Sequence, residues 1–299
     1  MYPPEFDYER ADSVDHALEL MDEHAGEEIE LLAGGHSLLP TMKSGLASPD
    51  VLIDIGHIEA LQGVETNGDG FSIGALANYA DVDDSPEVWE GATAFADATH
   101  RIGDVQVRNR GTVGGNIAHA DPASDLGGAL LASNGTVVAQ GPDGEREIPA
   151  DDFYLGMYAT ALEPEELLTR IELPETGEND VGAYAKKPSP SSGYPIVGVA
   201  AVLHTDGEEI ESARVGANNI MDHGVRLTPT EEALAGEPLE EETMEEAAEV
   251  ATDELDDVMM MEDLQASAEF RAQLTRVYTK RALLGALDRL ESAPPAAAD

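Results

Sequence analysis

The chain has 299 residues, of which 61 are Asp or Glu and only 16 Lys or Arg, so the formal net charge is −45; 42% of residues are hydrophobic and none is cysteine. The apolar share supports one large or two ordinary domains with real cores, while the missing thiols exclude disulfides, thiolate nucleophiles and cysteine-ligated iron–sulfur clusters. The charge disfavours nucleic acid and anionic membrane surfaces, no apolar run reaches the length of a membrane span, and the opening MYPPEFDYER is not a signal peptide, so the reading is a salt-adapted cytoplasmic protein without direct membrane insertion.

In chain order, Ser13 reads as an N-cap, with Val14, Ala17, Leu18 and Met21 following at helical spacing. Buried strands are predicted over 29–33, 51–55 and 71–75, and one helix over 87–101. A strand over 136–140 runs into the Gly141-Pro142-Asp143-Gly144 turn, and another over 167–173 stops at Pro174. The polar segment 174–181 marks a domain boundary. Beyond it, strands are predicted over 181–186, 198–204 and 212–217. Residues 237–263 hold 13 acids and no base, yet Met244, Ala247, Ala248, Ala251 and Leu255 keep a helical period, as an acid-coated surface helix does. Phe270, Leu274, Val277, Leu284 and Leu287 mark a long C-terminal helix, followed by a frayed tail.

Two glycine turns carry the chemistry. After the first strand comes Ala33-Gly34-Gly35-His36-Ser37; later comes Thr112-Val113-Gly114-Gly115-Asn116, followed by His119-Ala120-Asp121-Pro122. Paired glycines let a backbone turn sharply and approach a ligand closely, and successive N–H groups can then face one anion. Neither turn has the Walker or Rossmann spacing. Two such turns suit the two sides of a pyrophosphate-bridged dinucleotide, with Asp121 and Asp125 as acceptors for ribose or ribityl hydroxyls; the alternative is two tight structural turns. Arg101, Arg108 and Arg110 form a local basic excess just before the second turn. It reads either as a patch for phosphate or a partner, or as solvated arginines paired with nearby acids. His36 and His119 lack the partners of a metal site.

AGGHSLLP (33–40), VRNRGTVGGNIAHADPASDL (107–126), TALEPEELL (160–168), SSGYPIVGVAA (191–201) and EFRAQLTRVYTKRAL (269–283) together resemble the FAD-binding subunits of the molybdenum hydroxylase (xanthine dehydrogenase) family, in particular the medium subunits of its aerobic carbon monoxide dehydrogenase branch. The resemblance implies an α+β fold. A two-part FAD-binding domain of the vanillyl-alcohol-oxidase (PCMH) type would cover 1–175. A smaller α+β domain like the C-terminal domain of the carbon monoxide dehydrogenase flavoprotein would cover 176–290, and 291–299 would be a flexible tail.

The same resemblance implies non-covalent FAD, with its pyrophosphate on Ala33, Gly34, Gly35, His36 and Ser37 and on Thr112, Val113, Gly114, Gly115 and Asn116. Asp125 would contact the cofactor, Tyr194 would stand beside the flavin ring, and Lys186 aligns more loosely. This chain would hold no metal and no catalytic residue. Molybdopterin would sit on a large partner subunit and [2Fe–2S] clusters on a small one, in a dimer of heterotrimers. Electrons would enter this oxidoreductase subunit from iron–sulfur and leave to an external acceptor. The complex would be cytoplasmic, with the inner membrane face as an attachment point. Three alternatives stand: a xanthine, aldehyde or heterocycle dehydrogenase of the same family, a free-standing flavin oxidase, and a nucleotide-binding scaffold without a redox role.

Overall fold

The computed structural model describes residues 2–68, 70–177, 179–255 and 259–292. The first layer is a parallel sheet of β1 (Asp7–Arg10), β2 (Ile29–Leu32) and β3 (Val51–Asp54) in the order β1-β3-β2. Helix α1 (Val14–Glu23) and the short α2 (Leu38–Ser44) make the crossovers that parallel strands require. Ser13 caps α1, its hydroxyl accepting the His16 N–H at 3.1 Å. Ala17 and Leu20 are buried against Val51, Ile53 and Ile58.

The second layer is an antiparallel sheet in the order β4-β5-β10-β6-β7: β4 (Val64–Thr66), β5 (Gly70–Gly74), β6 (Thr136–Gly141), β7 (Gly144–Pro149) and β10 (Leu167–Pro174). A small hairpin, β8 (Tyr154–Gly156) and β9 (Ala159–Thr160), interrupts the order along the chain. The helices between β5 and β6 supply the apolar cover: α3 (Tyr79–Asp83), α4 (Pro86–Gly91), α5 (Thr93–His100), α6 (Val105–Arg108), α7 (Val113–His119) and α8 (Leu126–Ala132). Phe95, Ile117, Leu126 and Leu130 bury their side chains in one core with Ile73, Val137 and Ile171. A single turn, α9 (Ala150–Phe153), follows β7.

The third layer is an antiparallel sheet in chain order: β11 (Val181–Pro188), β12 (Pro195–Thr205), β13 (Ile210–Asn218) and β14 (Val225–Arg226). Its other face packs against α10 (Thr228–Leu234) and the long α12 (Ala268–Ser292), with α11 (Glu241–Glu249) packed on those two helices. Central β12 is buried over Pro195–Leu203, which is why its sequence is an unbroken apolar run rather than an alternation. Tyr184, Ala200 and Val202 reach back into the α5/α8 core, so the second and third layers share a hydrophobic interior.

Three expectations change. The helix predicted over 87–101 is two helices, because the Gly91 carbonyl is captured by the Thr176 N–H (2.9 Å) and hydroxyl (3.0 Å) instead of continuing the helical ladder. Phe270 and Val277, expected as core markers of the last helix, are 42% and 40% exposed; the buried face runs through Arg271, Leu274, Tyr278 and Ala282. Of the expected tail over 291–299, only helical backbone at 291 and 292 is described, and the rest lies outside the described residues.

Candidate functional site

The first glycine turn leaves β2 and enters α2. Gly35 is in the left-handed region at φ 75°, where a β-carbon would strain the backbone and press on Leu39 at 3.0 Å. None of the N–H groups of Gly34, Gly35, His36 and Ser37 donates to another described residue, and the Ser37 hydroxyl makes no cap bond. Four successive donors on a sharp turn are thus left available to an anion. Gly34 abuts the second turn: a β-carbon there would stand 2.4 Å from the Arg110 carbonyl oxygen. Ala33 faces Gly115, whose own added β-carbon would lie 3.7 Å from that of Ala33.

The second turn is built differently from the expectation. Its N–H groups are all engaged within the protein: Val113 donates to the Ala77 carbonyl (2.9 Å), Gly114 to Ala75 (2.9 Å), Gly115 to the Thr112 hydroxyl (3.3 Å) and Asn116 to the Thr112 carbonyl (3.0 Å). Val113 and Gly114 are buried. Gly114 is small because Ala75 backs onto it; an added β-carbon would lie 2.5 Å from the Ala75 β-carbon. So Val113 and Gly114 hold the turn against the 75–79 segment, and their N–H groups are engaged within the protein. Gly115 alone of the pair is exposed. Asn116 donates to the Tyr79 hydroxyl at 2.9 Å and accepts from the Ser124 hydroxyl, which fixes its amide beside the turn.

Asp125 and Lys186 are also placed differently. Asp125 is 4% exposed; its carboxylate accepts from the Tyr184 hydroxyl at 2.7 Å and pairs with the Lys186 ammonium at 2.9 Å. The ammonium also donates to the Arg101 carbonyl at 2.7 Å. Burial pushes the Asp125 carboxyl upward, and Lys186 and Tyr184 oppose that shift. The pair therefore ties α8 to β11 through Asp125 Oδ1. Nearby, Asp97 accepts from Arg101 (2.9 Å), Arg289 (2.8 Å) and the Tyr184 N–H (2.9 Å), locking α5 to β11 and α12.

The expected arginine patch does not exist as one surface. Arg108 turns inward onto Asp83 (3.1 Å) and the Ile102 carbonyl (3.0 Å), Arg101 is paired with Asp97, and only Arg110 is exposed without a carboxylate among the described residues.

Tyr194 is 46% exposed and lines a cleft of about 180 Å³ with Asp121, Met157, Tyr158, Asn219 and Asp263. Burial raises the Tyr194 and Tyr158 phenols above their usual range; Asp121 acts in the same direction on both, and Asp125 and Tyr158 add to it at Tyr194. Both hydroxyls are thus protonated donors at neutral pH. The β8–β9 hairpin brings Tyr158 here at φ 56°, its N–H bonded to the Ala120 carbonyl (3.1 Å) and its ring 5.1 Å from that of His119. Sequence reasoning missed this hairpin, although the aromatic and apolar density of Tyr154-Leu155-Gly156-Met157-Tyr158 was a usable signal. Arg271, fully buried, donates to the Asn219 carbonyl (2.9 Å), the Ile196 carbonyl and Asp263 (2.7 Å), and so braces the cleft floor. A second cavity of about 180 Å³ lies at the far end of α8 between Ala92, Ser133, Thr176 and Arg214; neither cavity is lined by the turn residues.

A run of free N–H groups beside an exposed glycine fits an anionic group, and a cleft walled by phenols fits an aromatic one. The fold and the site together define a flavin-binding protein of two successive α+β units. Residues 4–176 match the model described as FAD binding domain in molybdopterin dehydrogenase, and 182–286 match the CO dehydrogenase flavoprotein C-terminal domain.

The chain belongs to the family of FAD-binding medium subunits of molybdenum-cofactor dehydrogenases, an oxidoreductase family. It is 35% identical to the carbon monoxide dehydrogenase medium chain of Hydrogenophaga pseudoflava, over 97% of this chain and 99% of that one. It is 34% identical to the glyceraldehyde dehydrogenase medium chain of Sulfolobus acidocaldarius, over 94% and 98%. Its structure superposes on carbon monoxide dehydrogenase from Hydrogenophaga pseudoflava with a TM-score of 0.91 at 36% identity, covering 97% and 99% of the two chains. On quinoline 2-oxidoreductase from Pseudomonas putida 86 it superposes with a TM-score of 0.89 at 26% identity, covering 97% and 99%. No helix among the described residues is long and apolar enough to cross a membrane.

Proposed function

We propose that this chain is the FAD-carrying electron-transfer subunit of a heterotrimeric molybdenum hydroxylase of the carbon monoxide dehydrogenase type. The observation that carries the reading is the run of unpartnered N–H groups from Gly34 to Ser37, packed against the second glycine turn. FAD supplies one- and two-electron chemistry at a single centre. The residues of this chain do the rest. Gly34, Gly35, His36 and Ser37 hold the pyrophosphate through backbone donors, with Gly115 leaving room for its approach. Tyr194 and Tyr158 present phenol donors and exclude water at the ring end, and Arg271 keeps their floor rigid. Asp125 and Lys186 hold the two domains at a fixed spacing around the cofactor, across the boundary between 1–175 and 176–290.

With no cysteine in the chain, [2Fe–2S] clusters belong to a small partner subunit and molybdopterin to a large one, which also decides the substrate. The complex acts in the cytoplasm, in a dimer of heterotrimers, and passes electrons to an external acceptor.

A second reading, an aldehyde or N-heterocycle dehydrogenase, is favoured by relatives of nearly equal identity, among them the nicotine 6-hydroxylase medium subunit of Paenarthrobacter nicotinovorans at 33%. Anaerobic addition of substrate to the native complex separates them. Carbon monoxide should bleach the flavin absorbance. Bleaching by an aldehyde or heterocycle but not by carbon monoxide selects the second reading, and bleaching by none rejects the electron-transfer role.

A further inference from the structure

Helix α12 carries an outer stripe that is apolar and free of acids over 270–287, unlike the exposed face of its neighbour α11. Its exposed positions include Phe270, Gln273, Val277 and Arg281, with Leu284 half-buried on the same line. Phe270, Val277 and Leu284 recur every seven residues, the spacing with which one helix presents a seam to another. Residues 270–287 contain no acid, in a chain where 61 of 299 residues are acidic. The neighbouring α11 shows what a solvated helix face looks like in this protein: its exposed positions are Glu241, Glu242, Glu246 and Glu249. The difference lies in the faces, since both helices pack on the same core.

Arg281 adds a second observation. The other cations of the segment have partners: Arg271 on Asp263, Lys280 on Glu245, and Arg276 on the Thr252 hydroxyl. Arg281 instead lies over the Tyr278 ring at 4.7 Å and donates to its hydroxyl at 3.0 Å, with no carboxylate among the described residues. An exposed arginine without a carboxylate, inside an apolar seam on a strongly anionic protein, is complementary to an acid brought from outside.

We propose that this stripe docks a helix of a partner subunit, one that presents apolar side chains at seven-residue spacing and a carboxylate to Arg281. The proposal rests on the reading of this chain as a subunit of a complex. A second copy fits less well: antiparallel pairing about Val277 would set Gln273 against Arg281, leave the guanidinium without a carboxylate, and bring together two chains of −45.

The test uses the co-expressed complex at high salt. Val277→Glu and Arg281→Glu lie at exposed positions, so the isolated variants should keep wild-type circular dichroism and flavin content, while partner subunit recovered with them falls at least tenfold. In the wild-type background, Gln273→p-benzoyl-phenylalanine should give a light-induced crosslink to a partner subunit. Wild-type recovery of the partner with both glutamate variants, or a crosslink joining two copies of this chain, overturns the proposal. A wild-type chain that brings down no second subunit overturns the subunit reading, and the docking surface with it.

Discussion

Single residues separate the two glycine turns by role. Gly35 needs its left-handed backbone at the free N–H run, whereas Gly114 needs its missing side chain because Ala75 stands behind it. Gly35→Val should therefore yield folded protein that has lost FAD, and Gly114→Val should yield protein that fails to fold, by flavin absorbance and circular dichroism respectively. A folded, flavin-free Gly114→Val would restore the second turn as a direct ligand contact. Lys186 makes a similar distinction. Removing its charge leaves the buried Asp125 carboxylate with Tyr184 but without a cation, a loss of about 3–5 kcal/mol. Lys186→Met should lower unfolding stability by that amount in denaturant titration. Unchanged stability with weakened FAD binding would instead make Lys186 a cofactor contact.

Elements bring these residues together, and one carboxylate at the foot of α12 titrates. Burial opposes ionisation of Asp263, but the N–H groups of Gln265 and Ala266 and the Arg271 guanidinium outweigh it and hold the carboxyl below the usual carboxylate range. Because the folded pKa is depressed, the stabilisation is present above the unfolded value of about 3.9 and is lost as pH falls through the folded value. Asp263→Asn should melt below wild type at pH 7, with the gap closing as pH falls below about 4; a constant gap would show that the charge of Asp263 is not the cause.

Local sequence made most of these elements legible. The Ser13 cap, the apolar run of β12 and the buried period of α11 each state their own structure, and the paired glycines marked both turns. What it did not show is who uses a donor or a charge. The Ala75 carbonyl that holds Gly114, and the carboxylates of Asp83 on Arg108, Asp125 on Lys186 and Asp97 on Arg289, lie from 25 to 192 residues away. Phe270 and Val277 look like core to any periodicity argument, because an apolar side chain on a helix has the same spacing whether it meets its own domain or a different chain.

At the scale of the whole molecule, two features dominate: the −45 charge and the proposed flavin cradle. We infer salt adaptation from the first, because lowering salt from 1 M to 0.01 M lengthens the screening distance from about 3 Å to about 30 Å and exposes each surface carboxylate to many others. The melting temperature should fall steeply on dialysis to millimolar salt, and an unchanged curve would remove salt adaptation from the account. The cradle is tested most directly by acid precipitation of the purified protein, followed by quantification of flavin in both fractions. Backbone N–H groups holding a pyrophosphate form no covalent bond, so one FAD per chain is expected in the supernatant and none in the pellet. Flavin retained in the pellet, or a released flavin without the dinucleotide pyrophosphate, would contradict it.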